Sequence, residues 1–284
     1  MSKIKETARV ISQEMLAKDI YSMWIETRIA KEAVPGQFIS VYTKSDARLL
    51  PRPISICETG YVNEIDGKRI VHSGENKIKA DLNALRIVYR IVGEGTREFS
   101  NYKAGDRVDI LGPLGNGFPL TVVKDGTETG CAYGSAILIG GGIGIPPMLE
   151  LAKQLKCEKT IVVGYRDKDM FLDRELAEHG RLVIATDDGS VGTKGNVIDA
   201  IKEQGIKGSV IYACGPAPML KGVKAYAMEN NTEAYISMEE RMACGVGACL
   251  GCVCKTAGID DHSKVNNTRI CKDGPVFKAS EVEL

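Results

Sequence analysis

The stretch Ile137-Leu138-Ile139-Gly140-Gly141-Gly142-Ile143-Gly144-Ile145-Pro146-Pro147 joins an apolar run to a glycine-rich turn and a helix start. Backbone N–H groups at such a helix N-terminus can hold a pyrophosphate, and proline is tolerated in the first helical turn. The glycines do not complete the usual G-x-G-x-x-G fingerprint, because Ile145 stands where its third glycine would fall. We interpret Gly140, Gly141, Gly142 and Gly144 as a nucleotide phosphate loop, with a purely structural tight turn as the alternative.

Strands and helices alternate around this loop. Apolar strands are predicted at 136–139, 160–163, 182–186 and 210–213, and helices at 146–155, 172–178, 196–204 and 217–229. This alternation predicts a parallel sheet with helices on both faces. The last of these strands ends in Cys214-Gly215-Pro216. Because open α/β sheets bind ligands at the carboxyl ends of their strands, we expect these three residues beside the glycine loop.

The first 112 residues follow a different pattern, with short alternating segments separated by turn residues. Strands are predicted at 7–11, 20–28, 37–42, 55–61, 68–72, 85–92 and 107–111. No long helical period interrupts them, which predicts an antiparallel barrel. The charged residues 63–83 are expected to form an extended hairpin within it.

Composition excludes several classes of function. Lysine plus arginine and aspartate plus glutamate both number 37, so the chain lacks the basic excess expected of a nucleic-acid-binding protein. Residues 1–10 are polar, unlike a signal peptide, and glycines and prolines break the most apolar run, residues 136–151. We therefore expect a cytoplasmic protein that does not enter the membrane.

Five of the nine cysteines, Cys244, Cys249, Cys252, Cys254 and Cys271, fall in the last 41 residues. A reducing cytoplasm does not sustain structural disulfides, so this clustering indicates a metal site. The spacing Cys244-x4-Cys249-x2-Cys252 with a distant Cys271 is that of a plant-type [2Fe–2S] ferredoxin.

The small residues Gly245, Gly247 and Ala248 would let backbone N–H groups approach such a cluster. A structural zinc site is the alternative, although zinc prefers two C-x2-C pairs and only Cys249 and Cys252 form one. Cys271 is favoured as the fourth ligand because it comes from a separate segment, and Cys254 remains the alternative.

At Arg52-Pro53-Ile54-Ser55 an arginine precedes a barrel strand. The arginine can bind a flavin phosphate, and the serine hydroxyl can hydrogen-bond the redox-active ring nitrogen. The alternative is a surface arginine followed by an ordinary strand serine. The order of Arg-x-x-Ser, glycine loop and Cys-Gly-Pro resembles the ferredoxin-reductase superfamily.

More narrowly, the chain resembles the family of electron-transfer subunits of class B dihydroorotate dehydrogenases. The resemblance covers nearly the whole length and is most specific in the segments 241–252 and 269–277. It implies an FAD-binding barrel (1–112), an NAD-binding α/β domain (113–232) and a [2Fe–2S] domain (233–284). FAD would be held by Arg52, Pro53, Ile54, Ser55, Val88, Tyr89, Arg90, Gly95 and Thr96.

The same resemblance implies that Cys244, Cys249, Cys252 and Cys271 hold the cluster, and that the Gly140 loop and Cys214 to Pro216 receive NAD. The family's partner is an FMN-bearing catalytic subunit that oxidises dihydroorotate in pyrimidine biosynthesis, in a heterotetramer with two copies of each. Electrons would run from dihydroorotate through FMN, cluster and FAD to NAD+.

Two other functions fit parts of the pattern. One is the electron-transfer subunit of another NAD(P)H-linked oxidoreductase, of the sulfide dehydrogenase or ferredoxin:NADP reductase type. The other is a zinc-bearing, non-catalytic interaction protein. Arg166 could meet the 2′-phosphate of NADP, but its neighbours Asp167 and Asp169 would repel it and favour NAD. No Ser/His/Asp set is present, so we expect no acid–base catalytic residue.

Overall fold

A computed structural model describes residues 3–45, 47–65, 68–74, 82–124, 127–130, 134–259 and 264–284. The first part of the chain is built from antiparallel strands and one short helix. These are β1 (Ile4–Ala17), β2 (Ile20–Glu26), β3 (Phe38–Val41), β4 (Arg52–Ile65), β5 (Lys68–Ser73), β6 (Leu82–Arg90), α1 (Glu94–Phe99) and β7 (Arg107–Leu114).

These strands form one sheet in the order β3-β7-β1-β2-β6-β4-β5, and β3 also pairs with β4. Six strands therefore close into a barrel, while β5 extends β4 as a hairpin arm. The barrel is filled by side chains that alternate along the strands, among them Val10, Met23, Ile39, Ile87 and Ile110. The predicted antiparallel barrel is confirmed. Of the predicted hairpin 63–83, residues 66–67 and 75–81 lie outside the described residues.

The central part of the chain alternates strands and helices after a small hairpin. The elements are β8 (Thr121–Lys124), β9 (Thr127–Gly130), β10 (Ser135–Gly141), α2 (Pro146–Gln154), β11 (Glu158–Tyr165), α3 (Asp173–Ala177), β12 (Arg181–Thr186), β13 (Thr193–Lys194), α4 (Val197–Glu203), β14 (Val210–Cys214), α5 (Ala217–Glu229) and β15 (Glu233–Ser237).

Five neighbouring pairs among β10 to β15 are parallel, which confirms the predicted α/β sheet. Apolar side chains cover both of its faces. Helices α2 and α3 pack on one face, through Leu149 and Leu176 among others, and α4 and α5 pack on the other, through Ile201 and Val223. None of the described helices is both long and apolar enough to cross a membrane.

The last part consists of β16 (Val253–Lys255), β17 (Asn267–Arg269), α6 (Ile270–Asp273) and β18 (Val276–Lys278). Strand β18 pairs antiparallel with β15 and so extends the parallel sheet. The boundary expected at residue 232 falls just before β15, which means that the C-terminal part supplies two strands, β15 and β18, of the α/β sheet. Cys252, Ile270 and Cys271 of this part also pack on the barrel, against Phe38 and Leu114.

A buried ionic network joins the barrel to the sheet. Arg86 of β6 contacts Glu58 of β4 at 3.3 Å and Glu175 of α3 at 2.5 Å. Lys153 of α2 contacts the other oxygen of Glu58 at 2.7 Å. Arg86 and Glu58 are only 5% and 3% exposed, so neither charge is solvated by water and each depends on its partners.

Glu150 is a further buried carboxylate of this network, only 2% exposed and 3.7 Å from the Lys153 ammonium. Both the backbone N–H and the hydroxyl of Thr59 on β4 donate to the Glu150 carboxylate of α2, at 2.8 and 3.0 Å. Helix α2 begins at the glycine loop and β4 begins at Arg52, so these contacts fix the two predicted binding segments relative to each other.

Replacing Arg86 with methionine should lower the free energy of unfolding by about 1–3 kcal/mol, because the buried Glu58 would be left with Lys153 as its charged partner, whereas Glu175 is 42% exposed and would be solvated by water. Urea-induced unfolding followed by circular dichroism measures the change. The matched control is Arg97→Met on α1, where the arginine is 63% exposed and its ion pair with Glu94 should contribute less than about 1 kcal/mol. Equal midpoints for the two variants would contradict a stabilising role for the network.

Candidate functional site

The glycine loop and the Cys-Gly-Pro turn meet at the carboxyl edge of the sheet. A Cβ atom at Gly144 would collide with the backbone of Cys214 and Gly215, and one at Gly215 would lie 2.5 Å from Met219 Cε. Gly142 adopts a φ of +53°, in the left-handed region. The two turns predicted from the sequence therefore form one continuous surface, and glycine is required there so that the backbones can touch.

This surface opens into a cavity of about 660 Å³ between the barrel and the sheet. Arg90, predicted for the flavin, lines it together with Gly141, Gly142 and Pro216. Among the lining residues that the sequence interpretation missed, Lys18, Asp19 and Ile20 come from the turn between β1 and β2, and Asn196 and Val197 from the helix start after β13. Only the positive φ of Asp19, at 60°, marks that turn as unusual, and it is not readable from the sequence.

The far end of the cavity is acidic. Arg166, Asp167 and Asp169 follow strand β11, and Asp187 follows the adjacent strand β12. The Asp167 carboxylate accepts the N–H of Asp169 at 2.8 Å, and Asp169 in turn accepts the N–H of Lys18 in the barrel at 3.2 Å. In doubly wound folds, an acidic residue about 20 positions after the glycine loop bonds the ribose 2′-hydroxyl of NAD. The three carboxylates of Asp167, Asp169 and Asp187 outnumber the two cations of Arg166 and Lys18, which makes this end unfavourable for a 2′-phosphate.

A groove in the barrel lies where strands β4 and β6 separate. Their pairing ends at Ile56 opposite Ile87. Beyond this point the two strands no longer pair with each other. Residues 52–55 of β4 pair only with β3, and residues 88–90 of β6 pair with β2. The facing backbone edges of these two segments are thus available to a flat, polar-edged ring such as a flavin. The segments that the resemblance assigns to FAD are the ones that line this groove.

Arg52 reaches across to the start of helix α1. Its guanidinium lies over the Cα of Gly95, where a Cβ atom would displace it, and it donates to the Leu50 carbonyl. The Thr96 hydroxyl accepts the N–H groups of Val92 at 3.0 Å and Gly93 at 3.3 Å and so shapes the turn before the helix. The positive guanidinium of Arg52, held next to the backbone amides at the start of helix α1, fits a phosphate of a bound flavin nucleotide.

Two of the predicted FAD residues turn their side chains away from the groove. Ile54 packs against the barrel interior, and Tyr89 lies within it, donating to Gln13 at 2.8 Å. Burial raises the pKa of the Tyr89 phenol. Val88 instead packs in the core between barrel and sheet. Ile54 and Tyr89 can therefore serve a flavin through their backbone atoms.

Glu239, which follows β15, is a further residue that the sequence interpretation missed. It is an exposed residue, yet desolvation by the surrounding protein raises its carboxyl pKa, while the nearby Arg90 opposes the rise. Burial also raises the pKa of the neighbouring Cys214 thiol to about 12, with the charge of Glu239 adding to the effect. Cys214 is therefore a neutral thiol, and no feature of the local sequence predicts its proximity to Glu239.

The cysteine loop directs backbone N–H groups at its sulfurs. The Sγ of Cys244 accepts hydrogen bonds from Val246, Ala248 and Cys249, at 3.3 to 3.4 Å. Although burial raises the pKa of this thiol, the three amides and a hydrogen bond with the Cys249 side chain outweigh it and bring the pKa down to about 6. This sulfur is thus prepared to carry the negative charge of a thiolate ligand.

The other predicted ligands follow the same pattern. Cys249 Sγ accepts the N–H of Gly251 at 3.4 Å, Cys252 Sγ that of Cys271 at 3.4 Å, and Cys271 Sγ that of Gly247 at 3.1 Å. Burial, together with the adjacent Cys252, raises the pKa of Cys271 to about 12. Deprotonating two sulfurs this close becomes favourable when a bound cation neutralises the two thiolates.

Cys254 lies on strand β16, opposite Thr268 of β17. It is half-buried and packs against the apolar clusters of both the cluster segment and the sheet. Burial raises the pKa of its thiol. All eight described cysteines are free, and in the described ranges no three His, Cys, Asp or Glu side chains converge as on a single metal ion.

Known protein families match the two halves of this site. The model of the iron-sulfur cluster binding domain of dihydroorotate dehydrogenase B matches residues 239–283, and that of the oxidoreductase NAD-binding domain matches residues 138–225. The first match favours an iron–sulfur cluster over zinc, and the second contains both the glycine loop and the Cys-Gly-Pro turn.

Solved structures share the architecture. An NADH-dependent reduced ferredoxin-NADP oxidoreductase is 27% identical with a TM-score of 0.78, covering 98% of this chain and 90% of that one. A ferredoxin NADP+ reductase from Neisseria gonorrhoeae, solved with FAD and NADP, is 15% identical with a TM-score of 0.56, covering 84% of this chain and 95% of that one. The fold is thus that of the ferredoxin reductases, as predicted.

Curated relatives match along the whole chain. The electron transfer subunit of dihydroorotate dehydrogenase B (NAD(+)) from Geobacillus sp. (strain WCH70) is 42% identical and covers 99% of both chains. The protein of the same name from Listeria innocua is 41% identical, covering 97% of this chain and 98% of that one. Together with the groove, the phosphate loop and the cysteine loop, these matches show that the chain belongs to the family of dihydroorotate dehydrogenase B (NAD+) electron transfer subunits.

Proposed function

We propose that this chain is the electron-transfer subunit of an NAD+-dependent dihydroorotate dehydrogenase in pyrimidine biosynthesis, an oxidoreductase subunit that uses FAD, a [2Fe–2S] cluster and NAD. One observation carries the proposal: a single barrel strand, β3, separates the cysteine loop from residues 52–55, the segment proposed to bind the flavin. Phe38 of β3 packs with Cys252 and Cys271 and is paired in register with Ser55 of β4. Electrons would have to cross only this strand.

The cofactors, when bound, supply the redox chemistry: the flavin exchanges two electrons with the nicotinamide and single electrons with the cluster. The chain supplies the binding and the orientation. Arg52 and the turn at Gly95 and Thr96 would hold the FAD phosphates, while Pro53, Ser55 and Arg90 and the backbone of Ile54, Val88 and Tyr89 would border its ring.

The loop of Gly140, Gly141, Gly142 and Gly144 would receive the NAD pyrophosphate through its backbone amides. Cys214, Gly215 and Pro216 would border the nicotinamide, because their turn lies against the loop on the side of Arg90. The neutral Cys214 thiol keeps charge away from that position. The cluster would be held by Cys244, Cys249, Cys252 and Cys271, each of whose sulfurs accepts a backbone N–H group.

We further propose a division of labour along the chain: residues 1–112 bind FAD, 113–232 bind NAD, and 233–284 bind the cluster while adding β15 and β18 to the sheet. The partner would be an FMN-containing catalytic subunit, with two copies of each in a heterotetramer, acting in the cytoplasm. The partner is supported by the names of the relatives, and the cytoplasm by eight described cysteines that are all free.

A second candidate function is electron transfer in another NAD(P)H-linked oxidoreductase. It is favoured by the likeness to the NADH-dependent reduced ferredoxin-NADP oxidoreductase over 98% of this chain. Relatives at 41–42% identity support the first function more strongly.

Reconstitution with an FMN-bearing, dihydroorotate-oxidising subunit tests the proposal. The mixture should reduce NAD+ when dihydroorotate is added, and each subunit alone should not, because only the pair connects the substrate to the nucleotide. Absorbance at the NADH band measures the rate. NAD+ reduction that depends on reduced ferredoxin, with none from dihydroorotate, would support the second candidate instead.

The cluster ligands are tested by two serine variants. Cys271→Ser should remove most of the bound iron and sulfide and the visible absorbance of the cluster, because serine is a poor ligand for these irons. Cys254→Ser, only two residues beyond Cys252, is the matched control and should keep both. Iron and sulfide analysis of anaerobically purified protein gives the result; loss in the Cys254 variant alone would assign the fourth ligand to Cys254.

The flavin site is tested through Arg52. Arg52→Ala should weaken FAD binding by about 10- to 100-fold, as expected for the loss of a hydrogen bond between charged groups of about 1.5–3 kcal/mol. Flavin fluorescence during titration of the FAD-free protein reports the dissociation constant. Arg28→Ala, at a largely exposed arginine paired with Glu6 elsewhere on the barrel, is the control that should bind normally. Unchanged binding in the Arg52 variant would place the phosphates elsewhere.

A further inference from the structure

The segment that carries Cys271 reaches back to the cysteine loop through Arg269. The guanidinium of Arg269 forms a two-pronged ion pair with Asp273, with Nε 2.9 Å from Oδ2 and Nη2 3.2 Å from Oδ1. Its remaining nitrogen, Nη1, donates to the carbonyl oxygen of Gly247 at 3.3 Å. One side chain thus connects the two parts of the chain that supply the predicted ligands.

Gly247 connects the Arg269 hydrogen bond to the sulfurs of Cys271 and Cys244. Its N–H donates to Cys271 at 3.1 Å, and the next peptide, which carries the carbonyl held by Arg269, donates from Ala248 to Cys244 at 3.3 Å. Gly247 has a φ of +84°, and the Lys272 side chain occupies the place of a Cβ atom, so glycine is required here. Arg269 therefore orients peptides that bond two different sulfurs.

The pair also lies within electrostatic reach of the cysteines. Arg269 and Asp273 stand two residues before and two residues after Cys271, and Arg269 pairs in register with Val253, the residue that follows Cys252. The side chains of Arg269 and Asp273 are 32% and 34% exposed, so water screens them only in part.

We propose that the Arg269–Asp273 ion pair tunes the reduction potential of the cluster, with Arg269 as a positioning residue for the Gly247 loop. The inference rests on the cluster site proposed above. Reduction adds one electron to the cluster, and no bond forms or breaks in the pair. A positive neighbour stabilises the added negative charge, as do N–H groups directed at the sulfurs, and a negative neighbour opposes it.

This role predicts shifts of opposite sign. Arg269→Gln leaves Asp273 unbalanced and loosens the Gly247 peptides, so the potential should fall. Asp273→Asn leaves the charge of Arg269 unbalanced while its amide oxygen can still accept a hydrogen bond, so the potential should rise. A merely structural pair would instead give both variants the same shift, because each breaks the same contact.

The experiment is an anaerobic redox titration of the full chain, alone and in the complex with its catalytic subunit, followed by the electron paramagnetic resonance signal of the reduced cluster. Lys255→Gln, at an exposed lysine of β16 in the same segment, is the control for the loss of one positive charge and should shift the potential less than Arg269→Gln. The double variant Arg269→Gln/Asp273→Asn should return most of the way to the wild-type potential.

Potentials that move in the same direction, or that do not move, in the two single variants overturn the inference while leaving the cluster site intact. A wild-type chain with no resonance signal and no bound iron overturns the proposed function itself. If Arg269→Gln fails to retain its cluster, Asp273→Asn decides alone: a rise in potential supports the inference, and a fall or no change contradicts it.

Discussion

The packing of helix α2 on strand β4 is the contact on which the rest of the structure depends. Helix α2 starts at the glycine loop and β4 starts at Arg52, so under the proposed assignment their relative position sets the distance between the nicotinamide and the flavin. Apolar residues such as Leu149 and Cys57 fill this interface, and Glu150 and Lys153 bond Thr59 and Glu58 across it. Hydride transfer requires reacting atoms about 3–3.5 Å apart. A rigid, charge-matched interface is one way to hold that spacing without a moving domain.

Strand β3 has the corresponding role on the other side of the flavin groove. Its four residues are all buried, because one face fills the barrel and the other faces the cysteine loop. Gly245 lies against Ser40 and Leu114, where a Cβ atom would be 2.9 Å from the serine hydroxyl. The cysteine loop is therefore seated directly on the barrel, and strand β18 anchors its far end to the sheet through β15. The C-terminal part is thus held by both preceding parts and stays next to the flavin segment.

The sequence predicted those features that are encoded by neighbouring residues. The glycine loop, the Cys-Gly-Pro turn and the cysteine spacing are local patterns, and the alternation of apolar residues distinguished the barrel from the sheet. Helix α1 was missed because six residues are too few to show a helical period. The contact of Arg86 with Glu175 joins residues 89 positions apart, and Glu239 meets Cys214 only because β15 lies beside β14. Such contacts depend on how strands are ordered in a sheet, and no local pattern encodes that order.

The distribution of charge fits a chain that moves electrons and leaves proton abstraction to a partner. The sulfurs of the cysteine loop are surrounded by N–H groups, which stabilise negative charge without exchanging protons. Near the nucleotide turn, burial keeps the Cys214 thiol neutral, and Glu239 has a raised pKa opposed by Arg90. The acidic end of the cleft, at Asp167, Asp169 and Asp187, is exposed and lies at the opposite end from that turn. Fixed dipoles therefore surround the predicted redox centres, while the exposed carboxylates of the cavity lie at the end that is proposed to receive the nucleotide ribose.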